Sequence, residues 1–131
     1  VWLARVRLDG RILEAHDLAA LSLTDTRSWL PCESMPERRL LQRLVEERRT
    51  FVKPLYAGGL AWRADEVVPD VVMLDRRDRP ALEVLGQMDD PVYAARWWAK
   101  AAWYRAHRRP VWTWDPARDP EIPPLPPPDR R

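Results

Sequence analysis

Two short runs decide how this chain folds: Val67-Val68-Pro69-Asp70-Val71-Val72-Met73-Leu74 and Pro80-Ala81-Leu82-Glu83-Val84-Leu85-Gly86. Each is rich in β-branched and aliphatic residues, and each has the length of a strand rather than a helix. Arg76-Arg77-Asp78-Arg79 between them reads as a solvated turn, so the strands can pair as a hairpin. The apolar flanks on both sides of Asp70 predict a strand buried on both faces. An Asp and a Glu inside such runs are out of place. Acidic residues are depleted in strands and costly to bury without a partner.

Working outward, helices bracket the strands. Ser34, Pro36 and Glu37 form a capping-box start for a first helix over about 34–49, with Leu40, Leu41, Leu44 and Val45 as its apolar stripe. Phe51 to Leu55 reads as a strand, and Gly58-Gly59 as a break. Asp90 is a good N-cap and Pro91 a good first residue for a second helix, which runs to about His107. Val111-Trp112-Thr113-Trp114 is a final strand whose tryptophans share one side. Upstream, 2–15 reads as a hairpin turning at Asp9-Gly10, and 16–33 as a loop-rich connection. Downstream, the proline-rich 116–131 predicts a disordered, dispensable tail. The chain thus divides into 1–33, a core over 34–115, and the tail. The element order implies an α/β fold with a mixed sheet flanked by helices.

The chain has 131 residues and a net charge of +2, so bulk charge does not announce a nucleic-acid binder. With Cys32 as the only cysteine, no intrachain disulfide can form, which fits a reducing, cytoplasmic setting. No apolar run approaches the roughly 18–20 residues that span a membrane. His16 and His107 lack metal-site spacing, and no phosphate-binding glycine loop is present. Among 22 basic residues only Lys53 and Lys100 are lysines. In so arginine-rich a chain, a retained lysine points to a need for a compact ammonium. Carboxylates from adjacent strands, Asp70 and Glu83, suit an oxygen-loving ion such as Mg2+ or Mn2+. Tyr93, Arg96, Lys100, Trp103 and His107 recur at helical spacing and offer a basic, aromatic face to a phosphate backbone.

Pro69-Asp70, Glu83 within Ala81-Leu82-Glu83-Val84, the helix with Tyr93, Arg96 and Lys100, and the closing Val111–Trp114 strand together resemble the PD-(D/E)xK nuclease superfamily. The first helix with Glu37 and the Phe51-Val52-Lys53-Pro54-Leu55 strand complete the resemblance, over about 34–115. It implies a restriction-endonuclease-like αβββαβ core preceded by an N-terminal β-hairpin. It also implies metal-dependent hydrolysis of DNA, with Asp70 and Glu83 holding Mg2+ or Mn2+, a lysine activating water and Glu37 joining them. The superfamily lysine lies two residues after the strand glutamate, where this chain has Leu85. Lys100 is the expected substitute and Lys53 the reserve. Leu85 equally favours a catalytically inactive module that only binds nucleic acid. A third reading is a protein-interaction domain that presents its proline-rich tail, with partner domains in a longer protein.

Overall fold

The computed structural model describes residues 30–54 and 67–129 in full, and the backbone of the strands at 2–9, 12–20 and 22–23. The expected Leu55 strand end and the Gly58-Gly59 break lie outside the described residues.

Strands β1 (Trp2–Asp9) and β2 (Ile12–Ala20) pair antiparallel, with a bulge between Arg5 and Val6. The return strand is longer than the sequence suggests, and much of the expected loop at 16–33 is strand. Its register explains this: Ala4 pairs with Leu18 and Trp2 with Ala20, so apolar pairing resumes beyond the polar His16-Asp17 step. Two short strands follow, β3 (Ser22–Leu23) and β4 (Pro31–Cys32), paired antiparallel.

The remaining elements run α1 (Met35–Glu46), β5 (Phe51–Val52), β6 (Val71–Met73), β7 (Ala81–Val84), α2 (Pro91–Ala106) and β8 (Val111–Trp114). The strands form a mixed sheet in the order β5-β6-β7-β8. The first three are antiparallel neighbours, and β8 returns parallel to β7 after the α2 crossover. α1 begins where Ser34, in extended conformation, accepts the Glu37 N–H on its Oγ at 3.2 Å. Both helices end on an arginine in left-handed conformation, Arg48 at φ 53° and Arg108 at φ 51°. Neither end carries the glycine that usually marks such a stop.

Alternation along β7 sorts the core. Leu82 and Val84 join Val71, Met73 and Trp114 against Leu40, Leu41 and Leu44 of α1. Ala81 packs on the other face with Trp97 and Tyr104 of α2. Val45, expected in the α1 stripe, is 41% exposed. On α2, Trp97 is buried while Trp98 is 60% exposed, so the two neighbours split between core and solvent.

The expectation of a disordered tail is corrected. Residues 119–127 run along the α1 side of the sheet. Ile122 and Leu125 pack against the core there. Five of these nine residues are prolines, which lack an N–H and so interrupt any ladder, and the strip's carbonyls are served by side chains. Arg39 donates to Pro120 O at 2.9 Å, Arg43 to Ile122 O at 3.0 Å and Arg49 to Pro126 O at 2.7 Å. The indoles of Trp112 and Trp114 donate to Pro124 O at 3.0 Å and Asp119 O at 2.7 Å. Composition does not show this because the three arginine donors lie 77 to 81 residues away in sequence. Among the described residues, no helix is long and apolar enough to cross a membrane.

Candidate active site

The β6–β7 register pairs Val71 with Leu82 and Val72 with Ala81. Continuing it by one rung sets Asp70, at the bend before β6, opposite Glu83. Both therefore fall on the α2 side of the sheet, with Ala81. Asp70 Oδ2 accepts the Val84 N–H at 2.8 Å, which ties the bend to β7. Glu83 is only 4% exposed. Its Oε2 accepts from Lys100 Nζ at 2.7 Å and its Oε1 from the Tyr104 hydroxyl at 2.5 Å. Tyr93, one turn into α2, donates its hydroxyl to Val84 O at 3.0 Å.

Glu37 approaches from the start of α1 and is 3% exposed. Sequence reading assigns it half of a capping box with Ser34. Its backbone does take that part, but its carboxylate goes elsewhere: Oε2 accepts the Glu33 N–H at 2.5 Å and Oε1 pairs with Lys53. A cleft of about 600 Å³ opens among these groups, lined by Glu37, Asp70, Glu83, Leu85, Tyr93, Arg96 and Lys100, among others. Lys53 is outside that lining and touches the site through Glu37.

Burial sets the electrostatics. Desolvation, reinforced by the charge of Asp70, pushes the Glu83 carboxyl up to about 7 against the opposing pull of Lys100. Burial also raises Asp70, with the Val84 N–H and Lys100 restraining the shift. Tyr104 is raised by burial and by the adjacent Glu83 charge, so its hydroxyl stays a proton donor. Among the described residues, no buried side-chain polar atom lacks a hydrogen-bond partner.

Asp70, at the bend before β6, and Glu83, on β7, offer only carboxylate oxygens to the cleft, as does Glu37. That chemistry fits Mg2+ or Mn2+ rather than a soft metal. As the side chains stand, no group of three or more His, Cys, Asp or Glu is gathered closely enough to hold an ion, among the described residues. Lys53 pairs with Glu37 and Lys100 with Glu83.

Of the residues that the sequence singled out, Asp70, Glu83, Lys100, Glu37, Tyr93 and Arg96 share this cleft. The rest of the basic, aromatic stripe departs from it. Trp103 and His107 stack on each other with ring centroids 4.0 Å apart, and neither lines the cleft. Tyr104 was missed. Its signal was its position four residues after Lys100 on the helix, which turns both toward the same strand.

A family model described as "Protein of unknown function (DUF1173)" matches residues 4–117. No curated protein and no solved structure matches the chain. The matched span holds both helices, the whole four-stranded sheet and every residue of the cleft, and the chain belongs to the DUF1173 family.

Proposed function

We propose that this domain is a metal-dependent phosphodiesterase acting on DNA, built on a restriction-endonuclease-like core of the PD-(D/E)xK kind. The observation that carries the reading is that Asp70 and Glu83 line one cleft, with Lys100 bonded to Glu83 in it. The element order αβββαβ supports it. Asp70 and Glu83 would hold Mg2+ or Mn2+, with Glu37 a further carboxylate on the same cleft. Such an ion, when bound, supplies charge neutralisation at a phosphate and a more acidic water.

The chain's own residues have separate tasks in this reading. Tyr104 fixes the Glu83 carboxylate from beneath, and Tyr93 and Asp70 fix the Val84 peptide that follows it. Lys100 supplies the ammonium that Leu85 cannot, beside the reacting phosphate. Arg96, one turn before Lys100 and exposed at the cleft, can take a phosphate bidentately. Lys53 acts as a positioning residue for Glu37. A cytoplasmic setting suits the lone buried Cys32.

An inactive, DNA-binding version of the same core is the second reading. It is favoured by Leu85 and by lysines already neutralised in ion pairs. The tail as a docking peptide is a weaker alternative, because its carbonyls are engaged by Arg39, Arg43, Arg49 and the two indoles. The deciding experiment incubates the full chain with single-stranded, duplex and flapped DNA in Mn2+ or in chelator. Metal-dependent cleavage that is lost in Asp70→Ala at unchanged circular dichroism is expected. Binding without cleavage of any substrate would favour the inactive reading.

A further inference from the structure

Both oxygens of Glu37, both of Glu83 and Oδ2 of Asp70 accept hydrogen bonds, but their donors are not equivalent. Tyr104 is 3% exposed and locked beneath α2, and the donors from Glu33 and Val84 are main-chain N–H groups. These cannot leave without unfolding part of the domain. The lysines can, since each ammonium sits on a flexible four-carbon stem. The side chain of Lys53 is 7% exposed and outside the cleft lining, whereas that of Lys100 is 22% exposed and lines the cleft. Lys100 is therefore the one donor with both the freedom and the space to withdraw.

We propose that Lys100 is an exchangeable latch: its ammonium holds the Glu83 oxygen that a divalent cation needs, and Lys100 must leave that oxygen before the cation can use it. Tyr104 keeps the other Glu83 oxygen, so the competition is for a single atom. Withdrawn, the ammonium stays in the cleft near Arg96, where it can meet an anionic phosphate. The inference rests on the metal-dependent reading above, and it makes a demand that the reading alone does not. A lysine that stands clear of the carboxylates and only assists chemistry changes metal affinity little when removed. A lysine that shapes the site weakens it. A latch does the opposite, because its removal frees the oxygen and takes a positive charge away from a dication.

The test is a titration of the full chain with Mn2+ alone, without nucleic acid, following free Mn2+ by electron paramagnetic resonance. Lys100→Met should bind about tenfold more tightly than wild type, the scale expected when one unit charge beside a dication is removed. Lys100→Arg keeps the charge and should show no tightening. Lys100→Ala gives the same comparison as Met if the Met variant fails to keep the native circular dichroism. Tight binding by the neutral variants where wild type binds none would be the latch in its strongest form. Unchanged or weaker affinity in folded neutral variants would overturn the latch and leave the metal reading in place. Absence of Mn2+ binding in wild type and all variants would overturn both.

Discussion

Replacing Glu83 by Gln should stabilise the metal-free domain at pH 8 and leave it nearly unchanged at pH 5. Glu83 is almost fully buried, and its carboxyl is pushed from 4.5 up to about 7. A folded pKa above the unfolded one means that the fold prefers the protonated acid. The stability linked to that proton is fully present below about 4.5 and is lost as the pH rises through about 7. At about 1.4 kcal/mol per unit, the ionised carboxylate costs the fold about 3 kcal/mol at pH 8. The attraction of Lys100 is already contained in the value of about 7, so it does not offset this figure again. Gln keeps an acceptor for the Tyr104 hydroxyl and never ionises. Lys100, with its side chain 22% exposed, can turn to water. Urea unfolding followed by circular dichroism at pH 5 and pH 8, in chelator, measures the difference. The variant should gain up to about 3 kcal/mol at pH 8, roughly 10 °C in melting temperature for a domain of this size. The reasoning fails if Glu83→Gln is destabilised equally at both pH values. That would make the Glu83–Lys100 pair a net stabiliser with its acid ionised well below 7.

Mn2+ should stabilise wild type more at pH 8 than at pH 5, because Asp70 and Glu83 are both raised and must lose protons to serve a cation. The gain at a hundredfold excess over Kd is about 2.7 kcal/mol, and thermal melts of Asp70→Asn should show none of it. Ending the chain at Asp115 should lower stability by about 2–4 kcal/mol, from the lost burial of Ile122 and Leu125 and the arginine and indole bonds to the tail. An unchanged melt would show that the strip contributes nothing. Arg96→Ala should weaken DNA binding in chelator and reduce the slope of log affinity against log salt by about one, with no change in melting temperature. An unaltered slope would remove Arg96 from the phosphate contacts.

The fold was legible where local chemistry and periodicity agreed. Ser34 and Asp90 mark their helix starts through a side-chain oxygen facing free N–H groups, and both cap as expected. The end of α2 at Ala106 falls where the sequence puts it, but the left-handed backbone of Arg48 and Arg108 was not legible, since no glycine announces it. The β1–β2 ribbon was read too short for a similar reason: the bulge between Arg5 and Val6 shifts the register, and no residue type signals it. For the site, the misplaced acids Asp70 and Glu83 and the rare Lys100 stood out in the sequence as residues that a plain strand or helix does not need.

By itself, the sequence determined the elements from α1 to β8, their order and the candidate acids, because turn residues, caps and apolar alternation act within a few positions of one another. Tertiary structure alone decided the partners. Tyr104 under Glu83, Lys53 on Glu37, and Arg49 reaching from the end of α1 to Pro126 are contacts between residues 16 to 77 positions apart. Such pairings depend on how the sheet orders its strands and which face each helix covers. The same distinction explains the tail. Its prolines forbid a strand or helix locally, and only the fold shows that side-chain donors from α1, β8 and the segment after α1 are waiting for its carbonyls.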